Sequence, residues 1–151
     1  ELPQFSGQIL STAFALKALE QLGVDDREAA VLRAGEWLRS VQNADGGWGE
    51  SAESAAGEAR SSPVRTACAV AGLVAGGDAG SESVRRGIEY LVRTQEQDGM
   101  WRDGGYNWTL LPGYVECRSN LDELTLPLMA LTAFLKHSEA GFTTGALGIQ
   151  L

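Results

Sequence analysis

The stretch that decides the fold is VLRAGEWLRSVQNADGGWGE, residues 31–50. An amphipathic run reaches Gln42, an Asp and two glycines follow, and Trp48 arrives six residues after the Gln. Residues 83–101, SVRRGIEYLVRTQEQDGMW, repeat the plan, with Gln95 and Trp101 each 53 residues beyond their counterparts. Arg33 and Arg86, Trp37 and Tyr90, and Leu38 and Leu91 keep the same step; Gly35 stands two residues after Arg33, and Gly87 one after Arg86. Self-similarity at a fixed period is the signature of stacked supersecondary units.

Upstream of each stretch lies a second matched pair. STAFALKALEQLG and RTACAVAGLVAGG align at a separation of 54, through Thr12/Thr66, Ala13/Ala67, Ala15/Ala69 and Leu19/Leu73. LPLMALTAFLKH, residues 126–137, is a weaker third copy. The unit is therefore a helix pair of unlike members. The first members, near 8–22 and 63–76, are Ala-rich and apolar on most sides, the pattern of a helix buried all round. The second members, near 27–42 and 82–95, carry one apolar stripe (Val31, Leu32, Ala34, Leu38, Val41; Val84, Ile88, Leu91, Val92) and charge elsewhere, which places them outside. Two concentric helical layers closed edge to edge make an α/α toroid, and about five helices supply roughly half of one. The expected fold class is all-α, with the partial barrel over 1–137, almost no strand, an exposed polar loop over 49–62 and a tail over 138–151.

Gln42, Trp48, Gln95 and Trp101 are read as structural. A Gln amide at a helix end meets backbone groups left without helical partners. An indole delivered by the glycine turn ties neighbouring outer helices by burial and by stacking over that amide.

Composition narrows the function. A formal charge of −8 and a pI near 4.6 oppose nucleic-acid binding, because a polyanion would be repelled. Cys68 and Cys117 lack metal-site spacing and His137 is the only histidine, so no metal and no cofactor is expected. Cys68 and Cys117 read as reduced thiols, His137 as a residue facing the end of its helix, and Asp25 and Asp26 as a helix cap. The chain opens on Glu1 rather than Met, so it is expected to be processed or part of something longer.

The pattern Arg-x-Gly-x-aromatic-Leu-x-x-x-Gln-x-x-x-Gly-x-Trp resembles the QW motifs of the squalene-hopene and oxidosqualene cyclase family, here at 33–48 and 86–101. The likeness extends through SSPVRTACAVAGLVAGG and the LPGY…LPLMAL segment, covering about residues 8 to 136. The resemblance implies an (α/α)6 barrel of twice this length and a C-terminal portion of a class II terpene cyclase. Such an enzyme protonates a polyprenyl chain, squalene or a relative, and guides a carbocation cascade in a dry, π-rich cavity. The family's acid is an Asp-x-Asp-Asp motif, absent from these 151 residues, so no catalytic residue is assigned and the segment alone is expected to be inactive.

Pro112 and Pro127 keep the family's spacing, which aligns the substrate-facing wall onto Leu111, Tyr114, Val115, Ser119 and Asp122. Where hopene-type enzymes carry Phe and Tyr, this chain is mostly non-aromatic. An inward Asp122 would quench a cation unless it takes the final proton. Three parents stay open: a cyclase for another terpenoid, a non-catalytic lipid-binding or scaffold member, and a degenerate partner of an active barrel. Prenyltransferase β subunits and complement-type thioester domains share the toroid, but their zinc and thioester constellations are not found. Tyr106, Trp108, Leu110, Leu111 and Tyr114 form an aromatic cluster that either contacts a partner or is covered by the missing half of the barrel. The expected partners are an apolar polyprenyl molecule, the missing half and a second copy through an open apolar edge. The resemblance places the protein in the cytoplasm, with the intact form peripheral on the membrane.

Overall fold

In the computed structural model, residues 8–49, 60–102, 106–109, 116–119 and 122–137 are described. They form five helices, α1 (Gln8–Gln21), α2 (Ala29–Ser40), α3 (Pro63–Ala75), α4 (Glu82–Thr94) and α5 (Asp122–His137), and a strand pair, β1 (Tyr106–Thr109) and β2 (Glu116–Ser119).

The helices sort into two layers. α3 packs against both α1 and α5, and α2 and α4 lie against this inner row. Every residue of α3 from Pro63 to Val74 is buried. Its small side chains let the row close up: a Cβ at Gly72 would lie 2.7 Å from the Ala13 Cα of α1. One apolar cluster fills the space between the layers, with Val31, Leu38, Val70, Leu73, Val84, Ile88 and Leu91 at its heart. A smaller one, Leu10, Ala13 and Cys68 with Leu126 against it, gathers inner-helix residues alone.

Three expectations are corrected. α1 is not buried all round: only Ile9, Leu10, Ala13 and Leu16 are, because among the described residues α3 covers it far more than any other helix. Leu32 belongs to no buried stripe and is 51% exposed. The 49–62 stretch is not wholly an exposed loop, since Gly49, Ser61 and Ser62 are buried. Ser62 donates its N–H to the Trp48 carbonyl (2.9 Å) and its hydroxyl accepts the Arg65 N–H (3.3 Å), capping α3. The all-α fold class stands, and the little strand present is a two-stranded antiparallel ladder between α4 and α5 in the chain, pairing Tyr106 with Ser119 and Trp108 with Cys117. Tyr, Trp and Thr favour the pleated backbone, and a four-residue strand is too short to announce itself by alternation.

Asp25 accepts the Arg27 N–H at 2.8 Å, so it caps the turn before α2, while Glu28 at the N-cap makes no side-chain cap bond. α5 begins at Asp122, ahead of Pro127, which deletes a single helical hydrogen bond without ending the helix. Residues 1–7, 50–59 and 138–151 lie outside the described residues, as do Leu110, Leu111, Pro112, Tyr114 and Val115.

Candidate functional site

Two turns, 42–48 and 95–101, are built bond for bond alike. Trp48 Nε1 donates to the Leu38 carbonyl (2.8 Å) and Trp101 Nε1 to the Leu91 carbonyl (2.7 Å). Gln42 Nε2 donates to the Gly46 carbonyl (2.8 Å), Gln95 Nε2 to that of Gly99 (3.0 Å). Asp45 Oδ1 accepts the Gly47 N–H and Asp98 Oδ1 the Met100 N–H. Gly46 and Gly99 take φ of +90° and +81°, a region that only glycine enters without steric cost. Both indoles are 0% exposed. The Trp thus satisfies a carbonyl at its own helix end while filling the core between layers.

The first turn is also clamped onto the next outer helix. Gln42 Nε2 makes its second donation to the Ser83 carbonyl in the first turn of α4 (2.9 Å). Arg86 reaches back to the Asn43 and Ala44 carbonyls (3.0 and 2.7 Å), and Arg93 to that of Asp45 (3.0 Å). A Cβ at Gly87 would sit 2.9 Å from Trp48 Cζ3 and 2.5 Å from Val70 Cγ2, so α4 needs a glycine where the indole crosses it. The Gln42 amide joins the end of α2 to α4 by donating to the Ser83 carbonyl, and the Trp48 indole lies against Gly87. Behind the turn, Trp48 N–H donates to the buried Thr66 hydroxyl (3.0 Å), and Ser61 Oγ lies between Asn43 Nδ2 and Asp45 Oδ1 (2.8 and 2.7 Å).

A narrow apolar groove, the candidate functional surface, runs over α3 between α1 and α5. Ala67, Cys68 and Ala71 form its floor, with Ala13, Phe14 and Lys17 on one side and Leu126 and Met129 on the other. Phe14 and Met129 leave 47% and 54% of their surface open, large for apolar residues beside such a floor. Past Lys17 a more polar cleft adds Glu20, Thr132, Lys136 and His137. Lys17 and Glu20 pair at 3.5 Å, and His137 Nδ1 lies 2.8 Å from the Ala133 carbonyl, a donor facing the last turn of α5. The groove offers apolar surface, an aromatic face and polarisable sulfur to a ligand; among the described residues no group of three or more metal-ligating side chains gathers.

Of the wall positions aligned by resemblance, Ser119 ends β2 and Asp122 opens α5, on either side of one short connection. Leu111, Tyr114 and Val115 lie outside the described residues. Phe14, Cys68 and Met129 were not distinguishable in the sequence as groove residues, since helices apolar on most sides do not declare which side stays uncovered. Cys68 is a buried cysteine on the groove floor. Glu123 and Arg65, near the starts of α5 and α3, are buried charged residues without a sequence signal.

Two helical layers with Gln–glycine-turn–Trp clamps along the outer row define a segment of an α/α toroid of the terpene-cyclase type. The squalene-hopene cyclase C-terminal domain family matches residues 6–136, and the chain belongs to that family. It is 36% identical over 132 residues to a squalene–hopene cyclase of Bradyrhizobium diazoefficiens, covering 83% of this chain and 20% of that protein. To the squalene–hopene cyclase of Zymomonas mobilis it is 34% identical over 138 residues (87% and 21%), and to a lanosterol synthase of Candida albicans 34% over 98 residues (61% and 14%). The chain spans about a fifth of the length of the two bacterial relatives. No helix among the described residues is long and apolar enough to cross a membrane.

Proposed function

We propose that this chain supplies part of the wall and belt of a class II terpene cyclase barrel. In that reading the intact protein turns an acyclic polyprenyl substrate, squalene or a relative, into a ring system. A proton adds to a terminal alkene carbon, the resulting cation is captured by successive double bonds, and loss of a proton or addition of water ends the cascade. The observation that carries the reading is the pair of Gln–turn–Trp turns with matching hydrogen bonds in a chain of this family, beside an inner row whose uncovered side is the Phe14–Met129 groove.

The acid comes from elsewhere in the intact protein, since no Asp-x-Asp-Asp occurs in the 151 residues. This chain's part is to exclude water and offer π and sulfur surface to passing cations, from Phe14 and Met129 and, in the proposed wall, from Tyr114. Leu111, Val115 and Ser119 shape the same wall, and Asp122 takes the final proton. The intact enzyme works from the cytoplasm against the membrane surface, where its substrate dissolves.

The test uses the full-length protein. Its sequence should contain Asp-x-Asp-Asp, and squalene should be converted to cyclic products resolved by gas chromatography and mass spectrometry. Changing the central Asp of that motif to Asn should abolish product, and Phe14→Ala should lower turnover or shift the product distribution while the fold persists. Absence of the acid motif sinks the cyclase reading. The largely non-aromatic wall would then favour a member that binds an apolar lipid without converting it, read out as squalene retained on the protein through gel filtration.

A further inference from the structure

We infer that the preferred polyprenyl substrate of the groove carries an anionic head, a phosphate or diphosphate ester, held in the cleft at the C-terminal ends of the inner helices. The inference rests on the cyclase reading and names its substrate class. Groove and cleft are one trough, because Lys17 and Met129 line both. Its floor is α3 and its two sides are α1 and α5, so every wall named here belongs to this chain, and in the cyclase reading the open side faces the hollow of the barrel. The apolar part, with Phe14, Leu126 and Met129, passes into a cleft of about 410 Å3, room for a phosphate ester and the first carbons of its chain. From Leu126 to His137 the trough follows α5 for about 16 Å at 1.5 Å per residue, so a linear chain lies along it with its head at one end. A head at the His137 end directs the hydrocarbon end towards the start of α5, where Asp122 stands.

Charge selects the head. Of the 12 Lys and Arg residues only Lys17 and Lys136 are lysines, and both line this cleft together with the chain's one histidine. The arginines serve the fold: Arg39, Arg85 and Arg102 meet carboxylates, and Arg86 and Arg93 meet backbone carbonyls. An ammonium is a compact charge suited to phosphate. Lys17 is half-buried and lies 3.5 Å from Glu20, one turn along the same helix; Lys136 is exposed and makes no hydrogen bond or ion pair among the described residues. Two ammonium groups against one carboxylate leave the cleft positive in a chain of net charge −8. Helix polarity accounts for Lys136 and His137, in the last turn of α5, but not for Lys17, since the last turn of α1 holds no basic residue. The carbonyl ends of α1, α3 and α5 gather at the cleft, so without its lysines it would repel an anion. Squalene has no group to meet these charges.

Isothermal titration of the full-length protein with three probes tests this: geranylgeranyl diphosphate, geranylgeraniol, and inorganic diphosphate. The ester should bind at least about tenfold more tightly than the alcohol or the inorganic ion, because only the ester meets both ends of the trough. Lys136→Gln should cut the preference for ester over alcohol by about threefold to tenfold, and Lys17→Gln added to it should remove the rest. Neither lysine is buried, so circular dichroism should show unchanged helix content. Equal binding of ester and alcohol overturns the inference, and so does a preference that survives the double change. Ester and inorganic diphosphate binding alike also overturns it, since the anion site would then take no chain. Conversion of squalene in the same preparation, followed by gas chromatography and mass spectrometry, keeps the two readings apart. Cyclic products from squalene without a preference for the ester discard this inference and keep the cyclase reading. A lysine-dependent preference without cyclic products from either chain discards the cyclase reading and keeps the head-group site as that of a bound lipid.

Discussion

α2 and α4 carry the same motif in the same register and meet different surroundings. Gly87 of α4 is pinned between Val70 and the Trp48 indole, while a Cβ at Gly35 of α2 would find nothing nearer than 3.5 Å, the tip of Arg39. Ile88 is buried in the core, and its α2 counterpart at the 53-residue step is that same Gly35, beside which Leu32 stands exposed. The turns divide the same way: each is complete within itself, yet the 42–48 turn is gripped by α4 through four backbone carbonyls. The difference teaches that the Gln–turn–Trp unit has two separable parts, a self-contained turn and a lateral clamp. Both copies have the first, and the 42–48 copy shows the second.

The sharpest way to break the shared part is to remove an indole. Trp48→Ala or Trp101→Ala should each cost about 3–5 kcal/mol, the range for deleting a buried aromatic side chain, and shift the urea midpoint accordingly. Trp48→Phe keeps most of the volume but leaves the Leu38 carbonyl without its donor, so it should cost about 1–3 kcal/mol. If Trp48→Phe were as damaging as Trp48→Ala, the hydrogen bond and not the burial would hold the turn.

The glycines at positive φ separate the two parts. Gly46→Ala and Gly99→Ala both force an L side chain into the left-handed region, at about 1–2 kcal/mol each. Gly46→Ala should cost about 1–3 kcal/mol more, because its Cβ would lie 2.7 Å from the Arg86 carbonyl oxygen of the clamp. Equal losses would show that α4 moves away freely and that the clamp is soft.

Next comes the cation pair. Arg86→Ala should destabilise by about 1–2 kcal/mol, since two carbonyls lose a charged donor at a half-buried site. Arg33→Ala should stay within about 0.5 kcal/mol for the monomer, as expected of an exposed side chain away from any hydrogen-bond network. The same Arg at the same repeat position would then be structural in one unit and idle in the other.

This asymmetry marks how far the sequence can be read. The turns were legible because glycine, Asp, Gln and Trp are each forced by one local demand: a positive φ, a cap, a carbonyl, a cavity. The helix pairs followed from periodicity, and the inner row from its Ala and Gly. Burial was not legible where it depends on a neighbour: Leu32 and the outer side of α1 read as buried and are open. Ser61 and Ser62 read as solvated and are buried, because their partners Asn43, Asp45 and Trp48 lie a turn away in space and not in sequence. The groove followed the same rule, since Phe14 and Met129 are apolar residues on apolar helices and only the packing shows them uncovered.

The smallest expected effect tests whether the two aspartates, alike in their backbone bond, differ in their electrostatics. Asp45 completes its shell with the Ser61 hydroxyl, a neutral donor, whereas Asp98 faces the Arg102 guanidinium. That guanidinium first, and the Met100 N–H second, hold the Asp98 carboxyl below its ordinary value. A carboxyl lowered in the folded state stabilises most above its unfolded pKa of about 3.9, and the contribution fades as pH falls through the folded value beneath it. Asp98→Asn should therefore leave a slightly lower urea midpoint at neutral pH that converges on the wild type on acidification. The gap should shrink in high salt, because the pair is exposed and screened. Asp45→Asn should give a small loss that salt leaves unchanged, since the amide oxygen still accepts from the Ser61 hydroxyl and the Gly47 N–H, and neither donor carries charge. Were salt to narrow the Asp45 gap instead, Arg93, which donates to the Asp45 carbonyl at 3.0 Å, would be acting on the carboxylate as well.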